Sequence, residues 1–143
     1  MEFVDQRIRL AASSRDGHLA LRRVARQQTL MERLHAAHGT RIQLGELARD
    51  LRVSVRTVAR DVERLRLSGV PLDARRGRGG GVRLVPARTA ITIVLDLPEA
   101  AALMSSLAVL GPTVSESAAS AMRKLVDALN PAGTSAQTRP RPA

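Results

Sequence analysis

The sequence predicts a mainly α-helical chain with one small β-hairpin, and three observations carry that expectation. Apolar residues recur at helical spacing in five segments, and a glycine cluster at residues 77–81 sits between two short β-prone runs. Charge is also segregated: residues 41–83 hold eleven Arg against five acids, +6, whereas residues 91–130 hold two bases against four acids, −2. A merely solvated surface does not call for such segregation, but a phosphate-contacting face does. A length of 143 residues allows one domain with a real core plus a small appended helical element.

Residues 1–18 alternate charged and apolar side chains without strong caps, and Ser13-Ser14-Arg15-Asp16-Gly17 reads as a breaker, so a flexible extension is expected there. Residues 19–37 form the first helix, with apolar positions Val24, Leu30, Met31 and Leu34, ended at His38-Gly39. A short second helix spans residues 44–51, with Leu44, Leu47, Ala48 and Leu51 on one face and Glu46, Arg49 and Asp50 on the other. The third opens at Ser54, whose hydroxyl is placed to accept the N–H of Thr57. Val55, Val58, Val62 and Leu65 then make a stripe for burial, and Arg56, Thr57, Arg60 and Arg64 fall on the other side. Ser68-Gly69, with Pro71 beyond, ends this helix.

Two strands follow, at residues 70–74 and 82–85, joined by a glycine-rich turn over 75–81. The β-prone run at residues 91–95 reads as an edge strand or a linker. Asp96 and Glu99 have capping-box spacing and open a helix with Ala100, Leu103, Leu107 and Leu110 on one stripe, broken by Gly111-Pro112. Thr113 and Glu116 make a second such box, and Val114, Ala118, Ala121, Leu125 and Leu129 line the last helix up to Asn130-Pro131. The sequence thus divides into a flexible extension (1–18), a helix-turn-helix with a β-hairpin wing (19–88), a linker strand with a helical hairpin (89–130), and a disordered tail rich in Pro, Ala and Thr (131–143).

Several classes of function are set aside. With no Cys in the chain, disulfides, thiolate metal sites and a Cys nucleophile are excluded. His35 and His38 are spaced i, i+3, but no third ligand accompanies them and they read as a surface pair; no metal and no cofactor are expected. No cluster of carboxylates, His or Ser has catalytic spacing, so an enzyme is not expected. Apolar runs are short and the N-terminus lacks the order of a signal peptide, which points to a cytoplasmic protein with no membrane partner.

The basic constellation carries the functional reading. A helix, a turn and a second helix place the N-terminal residues of the second where they can enter a major groove. Ser54, Arg56, Thr57, Arg60 and Arg64 occupy that helix, with Arg56 and Arg60 able to fork onto guanine or phosphate. Arg75, Arg76, Arg78 and Arg83 on the hairpin would reach backbone or an adjacent minor groove and supply affinity more than base choice. Of the 23 basic residues 22 are Arg, which suits forked hydrogen bonding but equally follows from GC-rich coding DNA. The glycines are no P-loop: no Lys-Ser/Thr follows them and they do not open a helix after a strand. The expected partner is double-stranded DNA, met at the nucleoid by a transcriptional regulator. The alternative is an adaptor whose basic face binds an acidic protein. The C-terminal helical hairpin is either a core supplement or a homodimer face.

The segment LGELARDLRVSVRTVARDVERLRL, then Gly69-Val70-Pro71 and Gly77-Arg78-Gly79-Gly80-Gly81-Val82-Arg83-Leu84, resembles the winged helix-turn-helix of DeoR-like, WYL-domain transcriptional regulators. The likeness extends more loosely to Asn130, and Asp96-Leu97-Pro98-Glu99-Ala100 is similar to the start of that family's linker helices. It implies a recognition helix opening at SVRTV and a wing after the GVP turn. Two departures stand out: Arg52 holds a turn position where Gly is usual, and no WYL sensor domain follows Pro131. The resemblance therefore implies effector sensing that this chain does not itself perform, as a stand-alone DNA binder or a truncated relative.

Overall fold

The computed structural model describes residues 2–85, 90–110 and 115–130. The chain divides into two compact units, Met1–Ile91 and Thr92–Ala143.

The first unit contains α1 (Glu2–Ala36), α2 (Leu44–Asp50), α3 (Val55–Leu67), β1 (Leu72–Arg75) and β2 (Gly81–Leu84). Its core forms where the apolar stripes of the three helices meet. Leu30 and Leu34 come from α1, Leu47 and Ala48 from α2, Val58 and Val62 from α3, and Leu72 and Val82 close it from the hairpin. Leu30 and Leu34, like Val58 and Val62, are one turn apart and share a face, while the adjacent Leu47 and Ala48 widen the buried stripe of α2. The strands pair antiparallel in the register Leu72↔Leu84 and Ala74↔Val82. Ile42, in the α1–α2 connection, adds a one-residue third rung: its N–H donates to Val82 O at 2.9 Å and its carbonyl accepts from Val82 N at 2.8 Å. The wing is thereby tied to the helices through backbone as well as packing, an arrangement the sequence reading lacked. The result is a mainly helical, winged helix-turn-helix architecture.

Two chain reversals in this unit use one device. After α3, Gly69 takes φ +90° while its N–H donates to Arg66 O at 2.9 Å and Val70 N–H to Leu65 O at 3.0 Å. After α2, Arg52 takes φ +54°, with its N–H on Arg49 O at 3.2 Å and Val53 N–H on Ala48 O at 3.0 Å. Both are Schellman endings that satisfy the last helical carbonyls. Arg52 thus adopts the left-handed backbone that a glycine would adopt without steric cost.

The structure corrects the sequence reading in several places. Ser13-Ser14-Arg15-Asp16-Gly17 is no breaker; α1 runs from Glu2 through it without interruption. No proline stands in that segment, and the cost of Ser, Asp and Gly inside a helix is only about 0.5–1 kcal/mol each, offset by the Ala and Leu residues on both sides. Val55, expected in the buried stripe of the third helix, is 49% exposed, and Val24, an apolar position of the first, is 37% exposed. Between α1 and α2, the left-handed backbone begins one residue earlier than expected, with φ +50° at His38 followed by +83° at Gly39.

Residues 91–94, which span the boundary between the units along the chain, are exposed and unpaired, so the run is a linker and not an edge strand. Exposure on both faces leaves its β-branched side chains nothing to pack against. Next come α4 (Leu97–Leu110) and α5 (Glu116–Leu129). The expected capping box forms: Asp96 N–H donates to Glu99 Oε2 and Glu99 N–H to Asp96 Oδ1, both at 2.8 Å. For α5 the cap is Ser115, whose Oγ accepts from Ala118 N at 3.0 Å. Glu116 is the first residue of the helix, two positions before the place from which a capping-box glutamate bonds back to the N-cap. Thr113, Val114, the Gly111-Pro112 break and the tail at 131–143 lie outside the described residues. Ala100 is buried, whereas no residue of α5 is, and Leu103, Val109, Val126 and Leu129 are exposed by 42–72%.

Candidate nucleic-acid interface

The geometry of α3 starts from its cap. Ser54 Oγ accepts from Thr57 N at 3.1 Å and shares a hydrogen bond with Thr57 Oγ1 at 2.9 Å. Both hydroxyls are therefore engaged with each other at the start of the helix. Val58 and Val62 face the core, so Arg56 and Arg60, one turn apart on the other side, are exposed. Among the described residues the ion pairs within α3 are Arg64 with Asp61, at 3.6 Å, and Arg66 with Glu63, at 3.1 Å. Among the described residues Arg56 and Arg60 have no hydrogen-bond or ion-pair partner, while Arg64 is drawn toward its own helix.

The sequence reading missed Asp61, although its spacing holds the signal. Positions 58, 61, 62 and 65 form one helical face, and an acid on that face has to find partners. Asp61 is 1% exposed; Arg26 Nε donates to its Oδ2 and Gln27 Nε2 to its Oδ1 at 3.1 Å. These bonds from α1 lock the rotation of α3 about its axis, because a turn of the helix would strip a buried carboxylate of its donors.

On the wing, Asp73 organises the cations. Arg41 donates through Nη2 to Asp73 Oδ2 at 2.6 Å and through Nη1 to Asp73 O at 2.9 Å and Gly81 O at 3.2 Å. Arg83 Nε donates to the same Oδ2 at 3.0 Å, and Arg75 Nε lies 3.8 Å from Oδ1. Hydrogen bonds from Arg41 first and Arg83 second hold the Asp73 carboxyl below its ordinary pKa of 3.8. Of the four wing arginines read from the sequence, Arg75 and Arg83 therefore share an anion within the protein, whereas Arg76 and Arg78 sit exposed at the turn.

Glycine is required in that turn at two positions. At Gly80 a Cβ would come within 2.6 Å of the carbonyl oxygens of Arg75 and Gly77. At Gly81, which has φ +120°, a Cβ would overlap the Ile42 carbonyl. The close approach of the wing to the Ile42 rung thus depends on missing side chains. An open groove of about 300 Å³ runs between this turn and the start of α2, lined by Gln43, Leu44, Gly45, Arg75, Arg76 and turn glycines.

Two further cations join the set: Arg52 at the α2–α3 turn and Arg49 on α2 are both exposed. Rigid presentation of unpaired guanidinium groups beside a capped helix start is chemistry suited to a polyanion of regular spacing. His35 and His38 are exposed, their rings stacked with centroids 6.4 Å apart. No helix among the described residues is long and apolar enough to cross a membrane.

Residues 26–83 match the family model of the HTH, or helix-turn-helix, domain. The match begins inside α1, shortly before the core position Leu30, and ends in β2, so it takes in all three helices and the wing. It supports a DNA-binding regulator built on this domain. No solved structure matches the chain.

Proposed function

We propose that this protein is a sequence-specific, double-stranded-DNA-binding transcriptional regulator, in which α3 enters the major groove and the wing at residues 75–83 lies on backbone or in the adjacent minor groove. The observation that carries the reading is the pairing of Arg56 and Arg60, exposed and outside any ion pair of α3, on a helix whose opposite face is fixed by Val58, Val62 and Asp61. Arg56 and Arg60 are the base readers. Ser54 and Thr57 shape the helix start and face a phosphate or a thymine, and Arg76 and Arg78 supply phosphate affinity. Arg64, Arg75 and Arg83 contribute as cations already partly neutralised by Asp61 or Asp73. Its proposed kinship, supported by the SVRTV helix start and the glycine-rich wing, is with DeoR-like, WYL-type regulators, and its proposed place of action is the bacterial nucleoid.

The helical hairpin is proposed as a homodimer face. Its support is the apolar surface that two helices leave uncovered: Leu103, Val109, Val126 and Leu129 are exposed. A two-fold protein would read two half-sites.

The decisive experiment is charge reversal. Arg56→Glu with Arg60→Glu should abolish retardation of the upstream region of the protein's own gene in a mobility-shift assay at physiological salt. Undiminished binding would remove α3 from the interface and leave a basic face suited to an acidic protein partner.

A further inference from the structure

Among the described residues Val55 neither joins the core cluster nor packs against it. It was expected in the core stripe, yet it is 49% exposed, at the first position of α3. A β-branched residue also gains little from helix propensity. One turn on, Ala59 is exposed on the same row of the helix. These two residues form a short apolar row directly beside the cationic row of Arg56 and Arg60. Both rows lie at the N-terminal end of the helix, where base edges come within reach.

The major groove presents one apolar group of matching size, the C5-methyl of thymine, and contact between it and a small apolar side chain is a known means of base discrimination. We infer that Val55, supported by Ala59, is a specificity-determining residue that reads a thymine methyl close to the guanine read by Arg56. The inference rests on the DNA-binding reading above and deepens it: the cationic row sets hydrogen-bonded recognition, and the apolar row adds a requirement that no hydrogen bond expresses.

The test separates the two readings. Sites selected by the full chain from random duplex DNA are resynthesised with each thymine in turn replaced by uracil, which removes only the methyl group, and affinities are compared at one fixed salt concentration. One thymine per half-site should lose about four-fold in affinity on this change, the worth of one buried methyl-sized group. Val55→Ala should bind the thymine and uracil duplexes equally, and Val55→Thr, which keeps a methyl, should retain most of the discrimination. Because the side chain is exposed, unchanged thermal stability of both variants is expected. The inference is overturned if the wild type is indifferent to every replacement, if the selected sites hold no thymine, or if Val55→Ala still discriminates. Failure to enrich any sequence would instead defeat sequence-specific DNA binding itself, and this inference with it.

Discussion

A carboxylate on the inner face of a DNA-reading helix is costly unless it is answered, and Asp61 is answered from two directions. Arg26 and Gln27 reach it from α1, and Arg64 approaches from its own helix at 3.6 Å. Asp61→Ala removes the acceptor and leaves Arg26, 22% exposed, without its partner. The expected loss is about 3 kcal/mol of unfolding free energy, measured by urea titration, and a loss below about 1 kcal/mol would mean that the pair acts like a surface ion pair. Arg52 makes the opposite prediction. Its φ of +54° is strained for a residue with a Cβ, so Arg52→Gly should stabilise the protein by about 0.5–1 kcal/mol, the relief exceeding the entropy that glycine adds to the unfolded chain. If Arg52 also touches phosphate, the same variant should bind DNA with a shallower salt dependence, so stability and affinity move apart. The contrast between Ser54 and Asp61 shows what a sequence discloses at this scale. The Ser54 cap was legible because both partners lie within four residues, whereas the donors of Asp61 lie more than thirty residues upstream and only the tertiary fold selects them.

Among the elements, α1 and the wing test different physics. Gly17 lies within α1, and a Cβ there would meet nothing within 4 Å. Gly17→Ala should therefore stabilise the protein by up to about 1 kcal/mol and raise its helical circular dichroism; no gain in either would restore the breaker that the sequence reading placed there. That reading treated Ser-Ser-Arg-Asp-Gly as a stop, but propensity is a sum over the helix and the neighbouring Ala and Leu residues outweigh it. The wing was legible from its glycines, yet its anchor was not: Asp73 gathers Arg41, Arg75 and Arg83 from separate segments. Because these partners lower the Asp73 pKa, its ionised form is favoured in the folded state. The stabilisation is complete above the unfolded carboxylate value and is lost as pH falls through the lower folded one. Wild type should thus exceed Asp73→Asn in stability by a constant margin above about pH 5, and the margin should shrink once pH drops below about 3.8. Thermal unfolding of both proteins across that range checks it, and a margin independent of pH would show that Asp73 acts through packing and not through charge.

For the whole molecule, charge and burial divide along the same line. The stretch 41–83, at +6, lies in the first unit with all of the clustered core, while residues 91–130, at −2, belong almost wholly to the second, which buries little of its own apolar surface. Charge segregation was legible because it needs only counting along the chain. Burial in the hairpin was not, since the stripes of Leu and Ala in α4 and α5 look alike whether they meet a core, a second copy or water. If the hairpin pairs two copies, its loss should separate folding from cooperative binding. A chain ending at residue 91 keeps every member of the core cluster and both Schellman endings, so it should still unfold in one transition. It should then sediment as a monomer and occupy a single half-site. Each phosphate neutralised contributes about −0.9 to the slope of log K against log salt, so a monomer using one wing and one recognition helix should show half the slope of the full chain. A truncated chain that keeps the full slope would place dimerisation in the first unit, or show that a single copy makes all the contacts.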